Sequence, residues 1–209
     1  MNTKTQSKEF AATPPLVNIV GEKVALGPQG KDLSPLFARW YNDFRTLSRL
    51  GDPVQPWTAD QEAQRNERLT APNEAELDFA IYERSSGRPI GVTGIGVDYR
   101  NGTAEFGIII GEPDARGKGY GTETAQLMLD YAFTALGLHS VKLTVHAYNV
   151  AGIRAYTKAG FKQYGRRREK ILMGGRRWDE IHMECLSTEW GPSPVLAEVL
   201  QPDEPRPRP

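Results

Sequence analysis

The spacing of hydrophobic and polar positions changes several times along the chain, and each change marks an element. Three successive stretches, Leu77–Glu83, Pro89–Asp98 and Thr103–Ile110, carry the short apolar alternation of strands. Turn residues separate them: Ser85, Ser86 and Gly87, then Asn101 and Gly102. Asn-Gly between two strand-like runs is a strong hairpin signal, so the second and third strands are expected to be antiparallel neighbours. Ahead of them, Lys23–Leu26 reads as a short strand. Leu33–Asn42 and Asp60–Thr70 read as helices, the second entered through a cap at Thr58 or Asp60.

The period then lengthens. Ala125, Leu129, Ala132, Phe133 and Leu136 recur at helical spacing, which predicts a helix over about Thr122–Leu136 stopped by Gly137. Ser140–Tyr148 returns to strict alternation, with Val141, Leu143, Val145 and Ala147 on one face and Lys142, Thr144, His146 and Tyr148 on the other. A short helix from Ala151 to Gly160 follows. Two last strands, Phe161–Met173 and Trp178–Leu186, meet at Gly174 and Gly175. The order predicts a mixed α/β sheet with an antiparallel N-terminal half.

Composition sharpens this picture at the ends and in the charge. Residues 1–15 are polar and end in Pro14 and Pro15, a leader expected to be loose. Residues 191–209 hold six of the chain's 15 prolines, so a Pro-rich extension is expected there. The domain is placed at 16–190. No apolar run reaches membrane-span length and no secretory signal opens the chain, which points to a cytoplasmic protein. Lys plus Arg and Asp plus Glu number 26 each, a balance that argues against a phosphate-backbone (nucleic acid) binder. Cys185 is the single cysteine, and no histidine has a second ligand at metal spacing, so no metal is expected.

The chemistry concentrates between Ile108 and Thr122. An apolar strand runs into Pro113, then into Arg116, Gly117, Lys118, Gly119, Tyr120 and Gly121, and a helix begins at once. Three glycines in five residues let the backbone approach a ligand and aim several N–H groups at one point. At a helix N-terminus those donors share the positive end of the helix dipole, which suits a pyrophosphate. Arg116 and Lys118 add charge. The loop is not a P-loop: five residues separate Gly111 from Gly117, and Lys118 precedes Gly119 instead of Ser or Thr.

Arg116-x-x-Gly119-x-Gly121 resembles the (Q/R)-x-x-G-x-(G/A) motif of the GNAT superfamily of acetyl-CoA-dependent N-acetyltransferases. Asn149, then Ala155 and Tyr156, then Ala159, Gly160 and Phe161, resemble that family's later segment. The likeness runs from about Val24 to Trp190. The run Thr103–Ile110 and the close of the domain, with Asp179, Met183, Glu189 and Trp190, resemble the branch of ribosomal-protein N-terminal and spermidine acetyltransferases. The resemblance implies a mostly antiparallel sheet of about seven strands, splayed in a V and flanked by about four helices. Acetyl-CoA would lie in the V between Thr103–Ile110 and Ser140–Tyr148. Backbone groups of Ile108, Ile109 and Ile110 would pair with its pantetheine amides. The loop from Arg116 to Gly121, with Thr122, would hold the pyrophosphate, and Asn149 the arm near the acetyl end.

Direct acyl transfer to an amine needs a neutral amine, an oxyanion donor and a proton for the departing thiolate. The family match places Tyr156 as that acid; the other reading is a packed helix tyrosine. Glu105 faces away from Ala104 and Phe106 and is the candidate base, its pKa raised if it lies desolvated in the cleft. An ion pair on the sheet surface is the alternative. Cys185 alternates with Ile181 and Met183 and reads as a core thiol. Arg166, Arg167, Arg168, Arg176 and Arg177 read either as a solvated hairpin face or as a grip on an anionic partner. Trp40, Tyr41, Phe44 and Trp57 either line an acceptor pocket or fill core. The acidic Asp43, Asp52, Asp60 and Glu62 would favour a cationic acceptor if they converge. The acceptor is a protein N-terminus or a small amine, and a homodimer is compatible with the resemblance. A non-catalytic acyl-CoA-binding regulator is the rival function; a toxin acting on aminoacyl-tRNA would need a more basic surface.

Overall fold

The computed structural model describes residues 14–50, 56–69 and 74–191. The leader up to residue 13, Asp52, Thr70 and the Pro-rich extension from residue 192 lie outside the described residues. Among the described residues no helix is long and apolar enough to cross a membrane.

Among the described residues, eight strands form one sheet. In chain order they are β1 (Ile19–Val20), β2 (Val24–Pro28), β3 (Glu76–Glu83), β4 (Pro89–Asp98), β5 (Thr103–Ile110), β6 (Ser140–His146), β7 (Lys162–Met173) and β8 (Arg176–Leu186). The helices are α1 (Ser34–Tyr41), α2 (Phe44–Leu47), α3 (Ala59–Leu69), α4 (Tyr120–Asp130) and α5 (Val150–Ala159). Strand order is β1-β2-β3-β4-β5-β6-β8-β7. The first five form an antiparallel meander. β4 and β5 occupy the residues their alternation predicts, joined through Asn101 and Gly102, the latter at φ +64°. The eighth strand beyond the expected seven is the two-residue β1, too short to leave a period in the sequence.

One joint departs from the antiparallel pattern. β5 crosses over through α4 to the parallel β6, and the two share only Thr103↔Ser140, Ala104↔Val141 and Glu105↔Lys142. Beyond that point each strand keeps its outer neighbour: β5 stays paired to β4 as far as Ile110, and β6 to β8 as far as His146. The sheet therefore opens into a V. α4 stops as an α-helix at Asp130 and closes through a π-turn, Tyr131–Ala135, before Gly137 at φ +66°. The helix predicted to run to Leu136 thus ends one wide turn earlier.

Two apolar clusters cover the two faces. Phe79, Ile81, Ile95, Ala104, Phe106, Leu143, Phe161 and Ile181 pack under α4 and α5. Leu33, Phe37 and Trp40 pack on Ala80, Tyr82 and Val92 on the other face. The Trp40 ring lies flat against Gly111, and its Nε1 donates to Glu112 Oε1 at 2.9 Å, with Arg39 on the same oxygen. A methyl at Gly111 would overlap that buried ring. Gly111→Ala is therefore expected to cost about 1–3 kcal/mol, since a core ring must shift off its rotamer. Urea denaturation checks this; unchanged stability would mean that Trp40 is free to move.

Candidate active site

The loop after β5 builds a cradle of backbone donors. Gly117 (φ +76°) and Gly119 (φ +88°) hold the left-handed turns that lead into α4. Gly119 is the N-cap residue and supplies no side chain, so the first-turn N–H groups of α4 receive no side-chain cap. A Cβ at Gly117 would meet nothing within 4 Å, and one at Gly121 would meet only Ile110, at 3.8 Å. The concavity is lined by Gly117, Gly119, Gly121 and Thr122, and Lys23 Nζ lies 3.3 Å from where a Cβ at Gly119 would sit.

Arg116 Nε donates to the carbonyl of Ile110 (3.1 Å), and its terminal nitrogen donates to the carbonyl of Gly111 (3.1 Å) and to Thr46 Oγ1 (2.7 Å). Asp43 stands 3.7 Å away. Arg116 also lines the cleft, and these bonds tie the loop to β5 and to the cap of α2. Tyr120 is half-buried against the core and donates to Glu83 Oε1 at 2.6 Å. Lys118 is exposed beside Glu83 and Asp114.

The cleft, about 1220 Å³, runs from this cradle into the V. Ile108, Ile109 and Ile110 line it, paired to Thr93, Val92 and Gly91 on one side and to no strand on the other. Asn149 caps α5 by accepting the N–H of Gly152 at 3.1 Å, which fixes its carboxamide at the rim. Tyr156 reaches the gap from α5. Its ring stands edge-on to Phe106 (6.2 Å) and Phe161 (6.1 Å), and burial pushes its hydroxyl up to about 12. Among the described residues that hydroxyl has no hydrogen-bond partner.

Glu105 also lines the cleft, but its side chain is 57% exposed and lies 3.4 Å from Lys142 Nζ. The desolvation expected for a base there is not met. The acidic residues that would favour a cationic acceptor if they converged lie apart among the described residues. Asp43 caps α2 and faces Arg116, Asp60 is exposed, and Glu62 is fully buried against Arg65 (3.3 Å). The carboxylates that line the cleft are Glu76 and Asp78 on β3, Asp98 at the end of β4 and Glu105 on β5. Burial and the neighbouring Glu76 raise the pKa of Asp78. The signal of the first two was present in the alternation of β3, where Glu76 and Asp78 precede Ala80 and Tyr82 on one face. Of the four aromatics, Tyr41 lines the cleft under the Arg65 guanidinium (4.4 Å), Trp40 is core, and Phe44 is 58% exposed. Trp57 donates its backbone N–H to Asn42 Oδ1. Among the described residues no group of three or more His, Cys, Asp or Glu could hold a metal ion.

Known proteins place the chain. The family described as "Acetyltransferase (GNAT) domain" matches residues 26–162. The spermidine N(1)-acetyltransferase of Vibrio cholerae is 34% identical over 96 residues, 46% of this chain and 55% of that protein. That of Escherichia coli K12 is 39% identical over 80 residues, covering 38% and 42% of the two chains. The chain thus spans about half the length of the curated relatives it matches. The crystal structure of spermidine N-acetyltransferase from V. cholerae in complex with CoA and spermine has a TM-score of 0.73, with 24% identity over 81% of this chain and 98% of that one. At that identity the likeness is one of fold.

The end of β6 is closed by a histidine that was expected on a polar face. His146 is only 6% exposed, because the turn after α2 covers it. Its Nδ1 lies 2.7 Å from the Tyr148 hydroxyl, which in turn donates to the carbonyl of Ser48. Burial lowers the pKa of His146 below its ordinary 6.5. The unfolded chain then binds more protons than the folded one as pH falls through 6.5, so the contribution of this site is present above that value and lost below it. Between pH 7.5 and 5.5 the urea midpoint of the wild-type protein should fall more than that of His146→Gln. Equal slopes would remove His146 from the pH response.

Proposed function

The chain belongs to the GNAT acetyltransferase family, and we propose from that premise that it transfers the acetyl group of acetyl-CoA to a primary amine. One observation carries this reading. The V between β5 and β6 exposes backbone along Ile108–Ile110 and leads straight to an uncapped helix N-terminus with an open glycine cradle. An elongated ligand with amides along its arm and a pyrophosphate at its end fits both features.

In this reading the N–H groups from Gly117 to Thr122 hold the pyrophosphate, Ile108–Ile110 pair with the arm, and Asn149 steadies it near the reacting end. Acetyl-CoA supplies a thioester carbonyl. Tyr156 keeps its proton at any working pH, since its hydroxyl sits at about 12, and passes it to the departing sulfur. That sulfur leaves within the same dry surroundings, which raise its own proton affinity. Glu105, paired to Lys142, marks the solvent mouth of the gap.

The acceptor is best read as a small cationic amine. Glu76 and Asp78 put negative charge on the wall opposite the gap, and the relatives named above are spermidine acetyltransferases. A peptide N-terminus is the other acceptor that the same wall would admit. We place the activity in the cytoplasm, where a buried Cys185, its thiol pushed up to about 11, suits a reducing compartment. A homodimer would use one of the two sheet edges, β1 or β7.

Thiol release from acetyl-CoA with a panel of polyamines, aminoglycosides and N-terminal peptides tests the reading; no release with any amine would favour a non-catalytic acyl-CoA binder. Gly121→Glu sits on an ordinary helical backbone with room for a Cβ and brings a carboxylate into the cradle. Calorimetry should show acetyl-CoA affinity lost with the fold intact, and retained affinity would move the pyrophosphate elsewhere. Tyr156→Phe should lower kcat by about 10²-fold with little change in acetyl-CoA affinity. A wild-type rate in that variant would assign the proton to water.

A further inference from the structure

The face of the sheet under α1 is bare where it meets the gap. Asp78, Gly94 and Gly107 lie side by side across β3, β4 and β5, so their side-chain positions share one face. The next row is Glu76, Gly96 and Glu105, continued by Lys142 on β6. The row on the other side, Ala80, Val92 and Ile109, is covered by Phe37 and Trp40. Three glycines therefore pave the strip between β3 and the place where β5 parts from β6.

That paving sets where the Asp78 carboxylate goes. Its Oδ1 lies over Gly94, in space that a Cβ there would take. Strands lie about 4.8 Å apart, so Asp78 starts ~10 Å from Gly107, and lying across Gly94 brings its carboxylate roughly half of the way. Above Gly107 a Cβ would meet nothing within 4 Å. Among the described residues, Asp78 has no hydrogen bond and no ion pair. Resting on the acetyl-transfer reading above, we propose that Asp78 is the catalytic base, taking the proton of an acceptor amine seated on this glycine strip between it and the open edge of β5.

The step balances. An ammonium acceptor gives one proton to Asp78, the neutral amine forms its C–N bond to the acetyl carbon as the C–S bond breaks, and the sulfur takes a proton from Tyr156. The second amine proton leaves as the amide forms and, through solvent, replaces the one Tyr156 gave up, while Asp78 releases its proton to solvent. The charged groups facing Asp78 are Glu76 on its own strand and Arg65 on α3. Arg65 is already engaged by Glu62 at 3.3 Å and by the Tyr41 hydroxyl at 3.2 Å. Burial and Glu76 raise the pKa of Asp78 while Arg65 lowers it, with a net rise. β4 presents only glycine there, and Glu105 on β5 faces Lys142.

The test is kcat against pH at saturating acetyl-CoA and spermidine, or whichever panel amine the wild-type protein turns over. Asp78→Asn should lower kcat by about 10²-fold, bind acetyl-CoA as the wild type does, and lose the acidic limb. Its residual rate should climb with pH toward the amine's own pKa of roughly 10. Glu76→Gln should move the wild-type limb to lower pH, because the like charge that raises Asp78 is gone; a merely structural carboxylate would not move it. A limb that survives in Asp78→Asn, or a change in KM alone, overturns the proposal. So does a limb that disappears in Glu105→Gln instead. If the wild-type protein acetylates no amine, the acetyl-transfer reading itself falls, and this inference with it.

Discussion

The structure depends on a sheet that is deliberately left unfinished. Peptide groups inside a sheet need partners, and a strand edge opened in the interior leaves them without one. Here β5 and β6 share three register pairs and then part, each held by its outer neighbour. The Tyr156, Phe106 and Phe161 rings stand where the strands separate, so the gap cannot close by simple zipping. A ligand that brings its own amides completes the sheet. That single requirement explains why the cradle follows β5 directly and why Asn149 caps the helix at the opposite rim.

An open edge would be of little use if its surroundings drifted, and two ionic knots prevent this. Glu112, just past β5, receives Trp40 Nε1 and Arg39 from α1 and faces Arg88 at 3.8 Å. Arg116, at the other end of the same turn, grips the carbonyls of Ile110 and Gly111 and reaches Thr46 and Asp43 on α2. Both knots are partly buried, where hydrogen-bonded charges are stronger than at the surface. α1 and α2 are thereby fixed to the loop after β5. A shift in one must be felt by the other.

The sequence disclosed what is periodic and local. β4 and β5 were legible to the residue because alternation and an Asn-Gly turn bound them, and the cradle because glycine spacing before a helix has few other uses. What stayed hidden depends on neighbours distant in the chain. His146 was placed on the correct face of its strand, yet only the turn after α2, a hundred residues away, decides that this face is buried. The partners that Arg116 takes, Asp43 and Thr46, are likewise invisible to spacing. α2 itself is four residues long, below the reach of any period. Asp78 is the clearest instance: its alternation was readable, but its meaning comes from Gly94 and Gly107, which register alone sets beside it.

On the proposed reading, register also divides the proton chemistry between the two faces of the sheet. Tyr156 approaches the gap from the α4–α5 face, among aromatic rings that disfavour its anion. Asp78 approaches from the α1 face, over glycine, beside a second carboxylate. Burial raises both pKa values, each from its own starting point, so the phenol keeps its proton while the carboxylate gains basicity. On the proposed reading an amine enters from one face and a thiol leaves toward the other. An intact β5–β6 ladder would wall these two environments off from each other. The parting of the strands is what allows a single carbon to be reached from both, so the feature that holds the donor also sets the direction of the transfer.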